Sequence, residues 1–258
     1  MLFRSATLPV DGGIQITGSH NPAEYNGFKM VLQHLPFFGA DIQKLGQMAA
    51  AGDWEAGQGS VSDHDIEDSY VARLVEGFDG AAYRIGWDAG NGAAGPVIEK
   101  LTKLLPGEHH LLFTEVDGNF PNHHPDPTEE KNLADLKALV AEKNLDFGVA
   151  FDGDGDRVGA IDGEGRVIWG DQILSILAEP VLKALPGATV IGDVKASQAL
   201  YDRVRELGGH PIMWKTGHSL IKTKMKETGA PLAGEMSGHI FFAHDYYGYY
   251  GFDDAQFA

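Results

Sequence analysis

Cysteine is missing altogether from the 258 residues. That excludes a disulfide framework, a thiolate zinc site and a cysteine nucleophile. Cations are scarce: 20 Lys and Arg stand against 37 Asp and Glu, giving a formal net charge of −17 and a pI near 4.9. No broad basic footprint for nucleic acid is expected on such a chain, although Lys and Arg can still gather in one cleft. No apolar run approaches a membrane span, and the mean hydropathy is −0.19. The opening Met1-Leu-Phe-Arg-Ser-Ala lacks a long apolar stretch, which argues against a secretory leader and makes the cytoplasm the expected location. What is abundant is glycine, 34 residues without period, set between apolar runs. With 43% hydrophobic residues the chain is too apolar for disorder, so packed cores joined by tight, ligand-cradling loops are expected.

The length predicts one to three domains. Short strand-like runs alternate with helical ones. Strands are predicted over Gly12–Thr17, Gly27–Leu32, Tyr83–Trp87, Leu111–Val116, Asp146–Phe151, Thr189–Val194 and Pro211–Lys215. A hairpin is predicted from Arg157–Asp162 and Arg166–Trp169, and an extended segment over Pro231–Phe242. Helices are predicted over Asp65–Phe78, Pro96–Leu105, Ser197–Leu207 and Leu220–Glu227, one capped by Thr128 that runs to about Lys143, and one over Asp171–Leu185 that Pro180 should kink or split. This is an α/β alternation of sheets flanked by helices. Joints fall near residues 60–80 and 170–188.

The strongest local signal is Asp152-Gly-Asp154-Gly-Asp156-Arg157. Three alternating carboxylates, freed by glycines to converge, suit a hard cation; the bland alternative is a solvated acidic turn. An EF-hand is excluded, because Arg157 and Gly163 stand where its loop needs Gly and Glu, and the flanks read as strands. A second signal, Thr17-Gly-Ser19-His20-Asn21-Pro22, follows a strand and exposes a hydroxyl that can take a phosphoryl group; alone, a turn-forming Ser/Asn loop would be the preferred reading. A third, Gly234-Glu235-Met236-Ser237-Gly238-His239, can bracket a polyhydroxylated ligand. A lone His is more often structural than catalytic, and His218 needs the same caution. Gly90-Asn-Gly92-Ala-Ala-Gly95 matches a dinucleotide fingerprint, with Glu115 at the ribose-binding distance. It accounts for none of the other three motifs, and a tight strand-to-helix turn is the simpler reading.

Thr17-Gly-Ser-His-Asn-Pro22, Tyr25-Asn-Gly-Phe-Lys29, Asp152-Gly-Asp-Gly-Asp-Arg157 and Gly234-Glu-Met-Ser-Gly-His239, in this order along the chain, resemble the α-D-phosphohexomutases, nearest the bacterial phosphomannomutase/phosphoglucomutase branch. Asp117-Gly-Asn-Phe-Pro-Asn-His and Phe252-Asp-Asp also look like family segments. The resemblance implies phosphohexomutase-type mixed α/β domains: a partial first domain over 1–68 with the phosphoserine loop, a second over 69–170 with the metal loop, and most of a third over 171–258 with the sugar loop. It implies that Ser19 carries the phosphoryl group. Mg²⁺ would be bound by Asp152, Asp154 and Asp156, a Ser19 phosphate oxygen completing the set. Arg157 and Lys29 would lie beside the phosphoserine, and His239 would exchange a proton with the sugar hydroxyl. Glu235 and Ser237 would hold sugar hydroxyls, with Lys195 and His218 lining the same cleft. Met236 favours the mannose/glucose branch over the glucosamine branch.

The implied activity interconverts hexose 1-phosphate and hexose 6-phosphate, with glucose or mannose 1,6-bisphosphate as activator and intermediate, in a cytoplasmic monomer that binds neither nucleic acid nor membrane. Family members have four domains. On the resemblance this chain reads as a central fragment, without the N-terminal Arg-containing segment and the C-terminal phosphate clamp, and is expected to be a weak mutase. Gly18 replaces the commoner Ala, expected to be a mild change, and Tyr246–Gly251 looks like an added Tyr-Tyr-Gly. The rival readings are a non-catalytic sugar-phosphate or Mg-binding fragment and a dinucleotide-dependent oxidoreductase.

Overall fold

Three sheets form in succession along the chain. The computed structural model describes residues 2–22, 24–33, 35–243, 246 and 248–258. After a short helix α1 (Leu2–Thr7), strands β1 (Gly12–Ile16), β2 (Phe28–Leu32) and β3 (Leu35–Phe37) make an antiparallel sheet in sequence order. Helix α2 (Ala40–Ala51) follows, and residues 52–66 form no helix or strand.

Helix α3 (Glu67–Val75) precedes β4 (Tyr83–Asp88), α4 (Gly95–Leu101), β5 (Gly107–Leu112), a 3₁₀ turn (Glu130–Leu133), α5 (Ala134–Lys143), β6 (Phe147–Phe151), β7 (Val158–Asp162) and β8 (Val167–Ile168). The sheet order is β5-β4-β6-β7-β8, parallel through β5, β4 and β6 and antiparallel beyond. Then come α6 (Gly170–Ala184), β9 (Thr189–Asp193), α7 (Gln198–Glu206), β10 (His210–Trp214), α8 (His218–Thr228), β11 (Leu232–Gly234) and β12 (Ile240–Phe242). Their sheet order is β10-β9-β11-β12, with only β12 antiparallel.

The second and third sheets share one apolar core, in which Ile98, Leu101 and Phe151 are continuous with Leu174, Val190, Ile240 and the fully buried Tyr249. Smaller clusters lie under α5, around Leu136 and Ile161, and under α8, around Ile221 and Phe241. The first sheet is different. Ile14, Ile16 and Phe28 are all more than 60% exposed, and α2 buries no residue.

Several elements depart from the sequence reading; α1 and β3 are unpredicted. The strand placed at Leu111–Val116 is β5, four residues earlier. It pairs residue by residue with β4, from Tyr83–Gly107 to Asp88–Leu112, and Phe113 leaves the ladder at φ 53°. Its half-buried His109 and His110 do not read as apolar. Thr128 does not cap the next helix; its hydroxyl donates to Asp126 Oδ1 at 2.7 Å, and the 3₁₀ turn intervenes. Helix α6 runs unbroken through Pro180. The carbonyl that Pro180 leaves without a donor belongs to Ile176, an exposed residue that solvent can serve. Helix α2 is unpredicted, because its Ala/Gly-rich sequence carries only Ile42, Leu45 and Met48 as apolar markers. In the Tyr246–Gly251 segment, Tyr249 stacks on Phe257 at 3.8 Å, and Tyr247 lies outside the described residues.

Candidate active site

The candidate residues converge where parallel strands end. Asp152 follows β6, Lys195 lies just beyond β9, His218 beyond β10 and Glu235 directly after β11. All are carboxyl ends of parallel strands, where α/β sheets place ligands. The β1–β2 connection brings Ser19 to the first of these ends. Ser19 Oγ lies 3.1 Å from Asp152 Oδ2, 3.1 Å from Asp154 Oδ1 and 3.2 Å from His20 Nδ1. Its backbone is left-handed, at φ 53°, and is held by donation of its N–H to Thr17 Oγ1 at 2.8 Å. The two loops touch backbone to backbone: a Cβ on Gly153 would come within 2.2 Å of the Ser19 carbonyl oxygen, so only glycine permits this approach.

The aspartate loop is organised from within. Asp152 Oδ1 accepts the N–H groups of Asp156 and Arg157 at 3.0 and 3.1 Å, which turns Oδ2 toward Ser19. Asp152 is fully buried. That burial, with Asp156 and Asp154 close by, pushes its carboxyl up to about 8. Lys29, from β2, supplies the local counter-charge through Asp154 and Asp156, each at 2.7 Å. Burial opposes the lysine's charge, but Asp156 and Asp154 outweigh it and hold the ammonium above its ordinary range. Burial likewise opposes Asp154, and Lys29 outweighs it, keeping that carboxyl low.

The donor set fits a hard divalent cation. Oxygens of Asp152, Asp154 and Asp156 lie within 4.8 Å of one another, and the proton that Asp152 retains marks a surplus of negative charge that a cation would relieve.

The Glu235–His239 loop faces this one. Gly238 donates its N–H to the Glu235 carbonyl at 3.0 Å and accepts from Val158 N–H at 3.0 Å, tying the loop to the strand after Arg157. A Cβ there would meet the Val158 carbonyl at 2.5 Å, and φ is 89°. Glu235 is buried, accepts the Gly217 N–H and has Ser237 Oγ at 3.5 Å; burial raises its pKa. His239 Nε2 accepts from Arg157 Nε at 3.2 Å. Its Nδ1 lies 2.9 Å from Asp253 Oδ2 and 3.5 Å from Asp156 Oδ1, at ion-pair distance but not aligned for a hydrogen bond. Burial opposes protonation of His239, but Asp156 and Asp253 outweigh it and raise its pKa. The His218 ring stacks on His239 at 5.9 Å, and burial, then Lys222, lowers its pKa to about 4.

The structure thus gathers Ser19, Lys29, Asp152, Asp154, Asp156, Arg157, Glu235, Ser237, His239 and His218. Lys195, just beyond β9, is exposed; its N–H donates to Asp193 Oδ1, and its ammonium makes no ion pair among the described residues. Sequence reasoning assigned no role to Thr17, His20, Lys222 or Asp253. Thr17 and His20 lie inside a motif it quoted, and Asp253 inside the Phe252-Asp-Asp segment. Lys222 sits in an ordinary helical pattern with nothing to mark it.

Three family models cover nearly the whole chain. Domains I, II and III of phosphoglucomutase/phosphomannomutase, each described as alpha/beta/alpha, match residues 1–55, 68–165 and 169–258. The chain belongs to the α-D-phosphohexomutase family. Among curated relatives, the phosphomannomutase/phosphoglucomutase of Pseudomonas aeruginosa is 44% identical over 259 residues, covering 100% of this chain and 55% of the relative. The phosphoglucomutase of Neisseria gonorrhoeae is 46% identical and covers 100% and 56%. A crystal structure of a phosphoglucomutase/phosphomannomutase family protein from Burkholderia thailandensis superposes with a TM-score of 0.92 at 49% identity, covering 96% of this chain and 54% of that one. The chain spans about half the length of the curated relatives it matches.

Within this chain, the dinucleotide-like Gly90–Gly95 turn has no room for a ligand. The N–H groups of Asn91, Gly92, Ala93 and Gly95 donate to Phe113, Ala89, Gly153 and Gly92 carbonyls. A Cβ on Gly92 would meet Gly153 O at 2.8 Å, and one on Gly95 would meet Thr114 O at 2.0 Å. The glycines let the aspartate loop and the end of β5 pack against the helix, and the oxidoreductase reading is not favoured.

Proposed function

We propose that this chain carries the phosphoryl-transfer centre of a mutase that interconverts hexose 1-phosphates and hexose 6-phosphates of mannose and glucose. One observation carries the reading: a hydroxyl, on Ser19, is delivered from 133 residues away to within 3.1 Å of two carboxylates of a cation-fitted loop. Asp152, Asp154 and Asp156 would hold Mg²⁺ together with an oxygen on Ser19. The cation, when bound, would neutralise charge on the phosphoryl oxygens, and Arg157 and Lys29 add to that neutralisation.

Phospho-Ser19 gives its phosphoryl group to the free hydroxyl of a hexose phosphate; the Oγ–P bond breaks and a sugar O–P bond forms. The 1,6-bisphosphate so formed reorients and returns its other phosphoryl group to Ser19. Nε2 is the accepting nitrogen of His239, so a sugar hydroxyl that displaces Arg157 Nε would deliver its proton there. Glu235 and Ser237 take further sugar hydroxyls, and His218 and Lys195 line the approach. We assign the protein to the cytoplasm as a monomer without nucleic-acid or membrane partners; among the described residues no helix is long and apolar enough to cross a membrane.

The test is phosphorylation by glucose 1,6-bisphosphate with Mg²⁺, mapped by mass spectrometry. The phosphoryl group is expected on Ser19 and absent from Ser19→Ala. Label elsewhere with Ser19 clean overturns the reading.

A further inference from the structure

Residues 117–127 pack on the turn after β4 and reach both loops that meet at Ser19. A Cβ on Gly153 would stand 3.3 Å from Phe120 Cζ, on the same glycine that abuts the Ser19 carbonyl. The His124 ring sits edge-on to His20, with 5.8 Å between centroids, and His20 Nδ1 lies 3.2 Å from Ser19 Oγ. Two side-chain tethers hold this segment to the turn. Asn122 Nδ2 donates to Asn91 Oδ1 at 2.7 Å, and His123 Nε2 lies 2.9 Å from Asp88 Oδ2. Asp88 is fully buried at the end of β4, where its other oxygen accepts the Gly90 N–H at 2.9 Å. The His123 side chain is only 13% exposed.

The second ring nitrogen, His123 Nδ1, lies 3.0 Å from the His124 carbonyl oxygen. Both nitrogens therefore face oxygens, one of a carboxylate and one of a carbonyl. A neutral imidazole has a single N–H, which would leave one nitrogen lone pair against an oxygen lone pair. The imidazolium donates to both. The proton on the Asp88 bond belongs to the ring, because imidazole is the stronger base of the two. The charged and titratable groups that face the ring are Asp88 from β4, Asp135 from the first turn of α5 and His124 from its own segment; Phe113, edge-on at 5.4 Å, is neutral. Burial opposes the ring's charge, but the bond to Asp88 outweighs it, helped by the His124 carbonyl and Asp135, and raises the pKa of His123.

We propose that His123 is a positioning residue: as an imidazolium clamped between Asp88 and the His124 carbonyl, it seats Phe120 and His124 against the Gly153 and His20 that border Ser19. The inference rests on the reading of Ser19 as the phosphoryl acceptor, and it deepens that reading. Among the described residues no hydrogen bond or ion pair joins His123 to Ser19 or to the aspartate loop, so it acts through its neighbours. Loss of its charge as the pH rises gives up one of the two ring bonds. The Asn122 tether remains, so the segment loosens without leaving. Phosphorylation of Ser19 thereby responds to pH through a group outside the cation site.

The experiment is ¹⁵N NMR of the His123 ring in the whole chain, beside the rate of Ser19 phosphorylation by glucose 1,6-bisphosphate in saturating Mg²⁺, from about pH 6 to about pH 9. In the unsubstituted protein both ring nitrogens are expected protonated at pH 6.5, the ordinary value for the group, where about half of unperturbed rings are neutral. A ring half neutral there overturns the proposal without any variant. His123→Gln keeps at most the contact with Asp88 and has no charge. Its rate is expected about 10-fold below the parent's at the acid end, less than the roughly 100-fold that a full ångström of misplacement costs. The two rates should converge as the pH rises through the parent ring's pKa. His123→Arg keeps both charge and donors, so it is expected to recover most of the rate and to hold it at the alkaline end. Each variant is read as a ratio to the parent, so that groups titrating in both cancel. Equal rates in parent and His123→Gln at every pH overturn the proposal, and so does a ratio of His123→Arg to parent that stays flat with pH. Should His123→Gln not fold, the ring charge and the His123→Arg ratio decide alone. If no protein takes up phosphate at Ser19, the phosphoserine reading falls. The positioning is then judged by the His20 ring resonances, which are expected to shift in His123→Gln; unshifted resonances overturn it.

Discussion

The Asp152–Arg157 loop and the Glu235–His239 loop are both glycine-rich, both follow a strand, and both face the same cleft, yet they are held in opposite ways. In the first, three carboxylates crowd together with Lys29 as their main counter-charge, and Asp152 answers by retaining its proton up to about 8. In the second, the buried Glu235 has its backbone and side chain satisfied before any ligand arrives, by His239, Gly238 and Gly217. One loop is electrostatically unfinished and fits a cation. The other, His239 Nδ1 apart, is finished, with its hydrogen bonds made within the fold. The two should therefore respond differently to the same kind of damage.

The largest effect is expected in the unfinished loop. Asp154→Asn removes one of three candidate ligands and one of the two carboxylates that Lys29 bridges. Mg²⁺ affinity, measured by calorimetry, should fall by about 100-fold or more, the upper end of what loss of an outer partner alone costs a metal site. Phosphoryl uptake by Ser19 should fall with it. Unchanged Mg²⁺ affinity would mean that Lys29 already balances the loop, and the contrast would collapse.

Damage to the finished loop should separate the two functions. Glu235→Ala and His239→Ala are expected to slow exchange with hexose phosphates by roughly 10²- to 10³-fold, the scale of a lost proton-transfer group. Mg²⁺ affinity should remain that of the parent chain. Loss of metal with exchange intact would reverse the assignment of the two loops.

The second and third sheets were legible in the sequence because their strands are buried and punctuated by glycine, and the motif loops sit at their ends. The aspartate loop was the most readable, since alternating carboxylates have few structural uses. The register of β5 was not readable, because Glu108, His109 and His110 owe their place to pairing with β4, a long-range fact. Helix α2 was missed for the opposite reason: only Ile42, Leu45 and Met48 mark its face, and nothing buries them. Within the site, Asp253 and Lys222 escaped because their meaning lies in being brought together across 31 residues. Lys195, placed in the cleft by the resemblance alone, is exposed just beyond β9 and makes no ion pair among the described residues.

The pH dependence of stability offers a subtler test of the unfinished loop. Asp152 titrates near 3.8 when unfolded and is pushed up to about 8 when folded. Between those values the folded chain holds a proton that the unfolded chain has released, so this group's penalty grows as the pH rises toward about 8. In EDTA, the stability of the parent relative to Asp152→Asn should therefore decline from about pH 5 to about pH 8, read by urea denaturation. Saturating Mg²⁺ should flatten that slope by making the ionised form the bound one. A difference that rises with pH in EDTA would show that the carboxylate is stabilised without a cation.

The smallest effect concerns the backbone between the two loops' shared target and its neighbours. Gly18 precedes Ser19, and its φ is not in the left-handed region, so alanine is conformationally allowed there. Substitution should gain about 0.4–1 kcal/mol by restricting the unfolded chain. Against this, the new Cβ would stand 2.8 Å from the Tyr25 carbonyl, closer than such atoms settle, so the β1–β2 connection must yield by a few tenths of an ångström. The change is therefore less innocent in this loop than the exchange of two small residues suggests. The two terms nearly cancel in stability, and the midpoint of unfolding should move little. They do not cancel at Ser19, whose hydroxyl is placed by this same backbone against the unfinished loop and not the finished one. Gly18→Ala should alter the rate of Ser19 phosphorylation by severalfold while leaving Glu235 and His239 untouched. Gly153→Ala, whose Cβ would lie 2.2 Å from the Ser19 carbonyl, should be far more damaging, and measuring both rates side by side decides whether the Ser19 loop or the aspartate loop is the part that can give way.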